Sequence, residues 1–155
     1  MATARISLFR LLFFSRNKLI PSGAERQDGL AQIVRNERKK NEFAVITSYL
    51  VVDGPWFVQV LEGERSAVHD AFQRVAAEPH HSDVLISEWR EVSKREFLTS
   101  LGCTMRAPET EAIFARHNLT EALDRGTPKP GAMLNLMLAL QANDLAKQGI
   151  NAMLV

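Results

Sequence analysis

The sequence predicts an α+β domain whose elements alternate as β-α-β-β-α-β, with room for one further strand and with helices after it. Three observations predict this. Two strongly apolar runs flank Asp53-Gly54, the clearest hairpin signal in the chain. Helical periodicity fills the stretch before that hairpin and the stretch after it. Beyond Met105 the pattern changes to helical segments punctuated by Pro108, Gly126, Pro128 and Pro130.

The first strand is read over residues 5–14, a Leu- and Phe-rich run that ends fully apolar. Residues 15–23 form a loop, and Ser22 with Glu25 has the spacing of a capping box. Leu30, Ile33 and Val34 give the following helix its apolar stripe. The charged stretch 35–40 reads as the solvated end of that helix, with its Lys and Arg suited to the negative end of the dipole. Residues 43–52 read as the second strand and 56–61 as the third, with Pro55 tolerated at a strand start. Residues 66–77 form a second helix, with Val68, Ala71, Phe72, Val75 and Ala76 on one face and Pro79 past its end. Residues 83–92 and then 95–103 read as two further strands. Two more helices follow, over about 109–123 and 131–147. The second is apolar around much of its circumference, so either the bare sheet face or a second subunit must cover it. This order is the ferredoxin-like arrangement: an antiparallel sheet with two helices on one face. The chain divides into a domain over residues 5–105 and a helical extension over 106–155.

Composition narrows the function. At 155 residues, with 46% hydrophobic and 24% charged residues, the chain has the make-up of one ordinary globular domain. A formal net charge of +1 lacks the basic excess of a nucleic-acid binder. No segment is long enough to span a membrane, and Arg10 interrupts the apolar N-terminal stretch, which argues against a signal peptide. The single cysteine, Cys103, excludes an internal disulfide and a Cys-rich zinc site, and the protein is expected in the cytoplasm. Phosphate loops, metalloprotease motifs and nucleophile elbows are absent, so no enzyme is expected. Ser15-Arg16-Asn17-Lys18 after the first strand only faintly suggests a small acylphosphatase-like enzyme. His80 and His81 read as surface histidines in a loop, and no metal site is expected. Cys103 reads as a buried structural cysteine.

Two polar residues stand out. Gln59 interrupts an otherwise apolar strand, and a buried amide needs partners for both its ends. Its alternatives are a ligand contact or a place on the outer sheet face under the C-terminal helices. Asn41 lies between the charged helix end and the second strand, either as a helix C-cap or as an amide aimed at a ligand.

The segment Phe57-Val-Gln-Val-Leu-Glu-Gly63 closely resembles the signature of BLUF domains, the blue-light sensors that use flavin. Other pieces fall in register with it. These are Phe14-Ser15-Arg16, Asn41 with Ile46-Thr47, Asp53-Gly54, Ala67-Val68, Arg74, Glu78-Pro79-His80-His81, and Arg95 with Phe97. The resemblance covers about residues 5–105 and implies the same ferredoxin-like fold. It implies a non-covalent FAD between the two helices, with its ring against the sheet. Gln59 would be the switching glutamine, Asn41 would bond the opposite part of the ring, and Arg74 would meet the ribityl-phosphate chain. Glu78 and His81 match positions near the same side. In the family a tyrosine gives an electron and a proton to the excited flavin, and the glutamine then rearranges its hydrogen bonds.

The chain departs from that pattern at the tyrosine, whose position holds Phe13. Ser100 and Leu101 stand at the family's Trp and Met, and Ser48 stands at its Gly after Thr47. The only tyrosine is Tyr49. Two readings follow from the resemblance. One is an FAD-binding blue-light sensor subunit that signals through a partner, with the C-terminal helices as output or oligomer interface, and whose photochemistry Phe13 impairs. The other is a degenerate module without flavin or light response, an interaction or scaffold protein that dimerises with an active paralogue.

Overall fold

The computed structural model describes residues 7–19 and 24–153. The elements run β1 (Leu8–Asn17), α1 (Ala24–Ala44), β2 (Thr47–Asp53), β3 (Trp56–Glu64), α2 (Arg65–Ala76), β4 (His81–Glu91), β5 (Gly102–Met105), α3 (Glu111–His117), α4 (Thr120–Asp124) and α5 (Pro130–Met153). The strands form one sheet in the order β4-β1-β3-β2-β5. Every neighbouring pair is antiparallel except β2 and β5, which run parallel. This is the ferredoxin-like α+β fold with one extra edge strand and helices after it.

The sheet is covered on both faces, and strand periodicity sorts the residues between them. Leu11 and Phe13 of β1 and Leu61 of β3 pack with Val68, Ala71 and Val75 of α2. Leu50, Val52 and Phe57 pack with Leu30 of α1 on that same side. The alternate residues Leu12, Phe14, Tyr49, Val51, Val58 and Val60 turn to the other side, under α5. There Met133, Leu136, Met137 and Leu140 of α5 are buried at helical spacing. The sheet face therefore covers the apolar helix, as one of the two sequence expectations had it. Burial on both faces also explains why β3 reads as a nearly unbroken apolar run.

Several element boundaries differ from the sequence reading. Residues 43–46 read as strand, but α1 runs on to Ala44 and leaves Phe43 93% exposed. A Schellman arrangement ends it: Ile46 N–H bonds the Asn41 carbonyl at 2.9 Å and Val45 N–H bonds that of Glu42 at 3.3 Å. Val45 takes the left-handed position usually left to glycine, with φ 56°. The charged residues 35–40 are thus mid-helix, and α1 has no basic residue in its last turn, so the helix-dipole argument fails there. The Ser22 capping box lies outside the described residues, as do residues 5 and 6 of the expected first strand.

The hairpin is confirmed as a two-residue turn, with Asp53 paired to Trp56 and Gly54 at φ 56°. The expected strand over 95–103 shrinks to β5. Residues 96–98 are held by side chains instead of a ladder. The Glu62 carboxylate accepts from the backbone N–H groups of Glu96 and Phe97, each at 2.9 Å. Gln141 of α5 accepts from Leu98 N–H at 3.0 Å and donates to the Glu96 carbonyl at 3.0 Å. The expected helix over 109–123 breaks into α3 and α4 because Asn118 caps α3 in the left-handed conformation, with φ 41°.

Candidate functional site

Gln59 and Phe13 pair on the sheet face beneath α1 and α2, and Asn41 lies on α1. Gln59 sits on β3 between Phe13 of β1 and Leu50 of β2, its direct cross-strand neighbours. It is buried at 6% exposure, on the face opposite α5, so its place is not the outer face under the C-terminal helices. Its Nε2 donates to Ser48 Oγ at 3.2 Å. Phe13 is buried against Phe72 of α2, edge to face at 5.0 Å between ring centroids.

Asn41 is not a C-cap. It lies inside the last turns of α1, buried, with Nδ2 donating to the Ser100 carbonyl at 2.8 Å. Its Oδ1 is buried with no hydrogen-bond partner. Arg74, in the last turn of α2, stands 3.5 Å from the Glu37 carboxylate of α1. Its Nε and Nη2 are buried without hydrogen bonds, and so is Glu37 Oε2. Such atoms cost roughly 1–3 kcal/mol each when left unpaired, and native structures keep few of them. Four of the six found among the described residues belong to Asn41 and Glu37 of α1 and Arg74 of α2, two of them the Arg74–Glu37 ion pair itself.

Sequence reading missed Glu37 and Ser48. Glu37 lay inside a charged run, yet residues 30, 33, 34, 37 and 41 continue one helical stripe, and that spacing was the available signal. Arg38, beside it, donates to the Leu101 carbonyl at 2.8 Å. Together with Asn41 it ties α1 to the segment that Glu62 and Gln141 hold from other sides.

The histidines are not the surface pair expected. His81 opens β4 and is 7% exposed, with Nδ1 2.7 Å from Ser15 Oγ and Nε2 2.6 Å from the Val75 carbonyl. Because that carbonyl only accepts, Nε2 carries the proton of that bond. Both nitrogens are engaged, which leaves only the ring face to meet a ligand. His80 stacks on His81 at 4.6 Å and meets Phe57 edge to face at 5.7 Å. Glu78, between α2 and β4, lines a small cavity of about 60 Å³ with Glu37, Lys40 and His80. No group of three metal-ligating side chains occurs among the described residues.

Burial pulls the His80 pKa from 6.5 down to about 4, with His81 adding to the shift and Glu78 opposing it. The unfolded chain therefore takes up a proton that the folded one refuses. Stability should fall as pH drops from about 6.5 toward 4. His80→Gln should flatten that part of a Tm-against-pH curve, and an unchanged slope would show that other groups cause it.

The remaining candidates lie elsewhere. Tyr49 is on the α5 face, where its hydroxyl donates to Asp144 and contacts Thr104. Burial, first, and the Asp144 bond raise its pKa well above the ordinary value. Trp56 shares that face and donates to Asp124 of α4 at 2.7 Å. Cys103 is half-buried at a cavity edge instead of fully buried as expected, and desolvation pushes its thiol up to about 12, away from the thiolate a nucleophile needs. A cavity of about 730 Å³ opens at the β5 edge between α1 and α5 and is lined by none of Phe13, Gln59 and Arg74.

A family model described as BLUF, sensors of blue-light using FAD, matches residues 8–101. Among solved structures, the dark state of BlrB, a BLUF protein, superposes with a TM-score of 0.69 at 28% identity. That match covers 86% of this chain and 97% of the other. Klebsiella pneumoniae BlrP1, solved with FMN and cyclic diGMP, gives a TM-score of 0.55 at 27% identity, over 63% of this chain and 26% of that one. Photo-activated BlsA gives 0.70 at 19% identity over 84% and 94% of the two chains, a likeness of fold. No curated protein sequence matches the chain.

Proposed function

This chain belongs to the BLUF family of flavin-using blue-light sensors, and from that premise we propose that it holds FAD between α1 and α2 but does not switch in the ordinary way. The carrying observation is a pair of buried polar atoms without hydrogen bonds, Asn41 Oδ1 and Arg74 Nε, on the two helices that cover the sheet face of Gln59. The donor set fits a flavin. Asn41 Oδ1 is an acceptor for a ring N–H, Gln59 supplies an amide, and Arg74, once released from Glu37, suits the phosphate-bearing chain. Glu78 and the His81 ring face border the same end.

When bound, the flavin absorbs blue light and accepts an electron. Phe13 stands where the family has its photoactive tyrosine and offers no hydroxyl, so it neither holds Gln59 nor releases a proton. The chain itself performs no catalytic step. Residues 5–105 form the flavin-binding unit, and 106–155 carry the signal to a partner protein or a second copy in the cytoplasm. The segment 96–101 links the two, since Asn41 and Arg38 grip it from one side and Gln141 from α5.

Glu37 of α1 and Arg74 of α2 pair across the proposed cleft at 3.5 Å, so flavin uptake breaks that pair. That pairing is the observation favouring the second reading, an interaction module that takes up no flavin. Titration with FAD, followed by fluorescence quenching, separates the readings. Arg74→Ala should weaken uptake roughly 10- to 100-fold, the worth of one hydrogen-bonded charge. Equal affinity in Arg74→Ala and the parent would remove Arg74 from the site, and no uptake by the parent would favour the interaction module.

A further inference from the structure

Ser48 lies on β2, fully buried, and its Oγ is 2.6 Å from the Val60 carbonyl oxygen. A carbonyl oxygen only accepts, so the single hydroxyl proton of Ser48 points to Val60. Its oxygen then has only lone pairs to offer Gln59, whose amide nitrogen lies 3.2 Å away. An amide turned the other way would set its carbonyl oxygen against those lone pairs. Neither cross-strand neighbour of Gln59, Phe13 nor Leu50, supplies a competing polar group. We propose that Ser48 is a positioning residue that fixes the Gln59 amide with its nitrogen toward β2 and its oxygen turned away, and that it opposes reversal of that amide. The proposal rests on the placement of Gln59 at the flavin. It assigns to the sheet the role that a tyrosine hydroxyl on β1 would otherwise fill. The hydrogen bonds themselves decide the orientation, which the similar outlines of amide oxygen and nitrogen would leave open.

The test is the side-chain NH₂ signal of Gln59 in ¹⁵N-glutamine-labelled, flavin-free protein, assigned by its loss in Gln59→Leu. Ser48→Ala should move that signal and speed exchange of its protons with water, while the backbone spectrum holds. Ser48→Thr, which keeps the hydroxyl, should restore it. Ser48→Gly serves if the alanine variant does not fold. With FAD bound, Ser48→Ala should shift the dark absorption band, as Gln59→Leu does. A Gln59 signal equally displaced in the alanine and threonine variants, or unmoved in both, would overturn the proposal. A band moved by Gln59→Leu but not by Ser48→Ala would also overturn it and leave the flavin site standing. A band unmoved by Gln59→Leu would instead refute the placement of Gln59 at the flavin. The flavin-free spectra would still decide what Ser48 does.

Discussion

Replacing Phe13 with tyrosine should give the flavin-loaded protein a reversible, light-induced red shift that the parent lacks. Phe13 and Gln59 lie directly opposite each other in the β1–β3 register, on the face beneath α1 and α2. Side chains so paired start about 4.5–5.5 Å apart at Cβ, and a phenol reaches beyond its Cβ by more than that gap. A hydroxyl at position 13 would thus arrive beside the Gln59 amide and provide the missing electron and proton. Phe72 meets the Phe13 ring edge to face from α2. Adding Gln59→Leu to Phe13→Tyr should abolish the shift while flavin stays bound. A Phe13→Tyr protein that binds flavin and shows no light response would count against the register that places residue 13 at the tyrosine position.

A chain cut after Met105 should fail to stay folded as a monomer. The cut uncovers Leu12, Phe14, Tyr49, Val51, Val58 and Val60, all buried under the C-terminal helices. Each fully buried side chain of this size is worth roughly 1.5–3 kcal/mol, so the six together match or exceed a typical domain stability of about 5–15 kcal/mol. The cut also removes Gln141, one of the side chains holding residues 96–98, and Asp144, which accepts from the buried Tyr49 hydroxyl. Aggregation, dye binding to exposed apolar surface or assembly into dimers is the expected readout. A soluble monomer with an unchanged Tm would mean that the extension only decorates the sheet.

How much of this was legible depends on the range of the interactions. The hairpin at Asp53-Gly54 and the helix over 66–77 rest on neighbours in sequence, and both were readable. Gln59 was visible because one amide broke an apolar strand. Asn41 was visible too, but not its place inside α1, since Phe43, Ala44 and Val45 look like the start of a strand. Only the left-handed Val45 and the bond from Ile46 to Asn41 end the helix where it ends. Residues 95–101 were misread for a related reason. The backbone groups of Glu96, Phe97 and Leu98 are satisfied by Glu62 and Gln141, distant side chains whose approach no local pattern encodes. Ser48 acquires its role from the pairing of β2 with β3, which brings it beside Val60 and Gln59. Glu37 meets Arg74 only once α1 and α2 lie side by side.

The most direct test of the whole account is the absorbance spectrum of the purified protein after incubation with FAD, in the dark and then under blue light. The account predicts a yellow protein whose spectrum does not move. A protein that stays colourless and leaves FAD free would contradict flavin binding in the α1–α2 cleft. A yellow protein that shifts to the red and recovers in the dark would contradict the silencing assigned to Phe13.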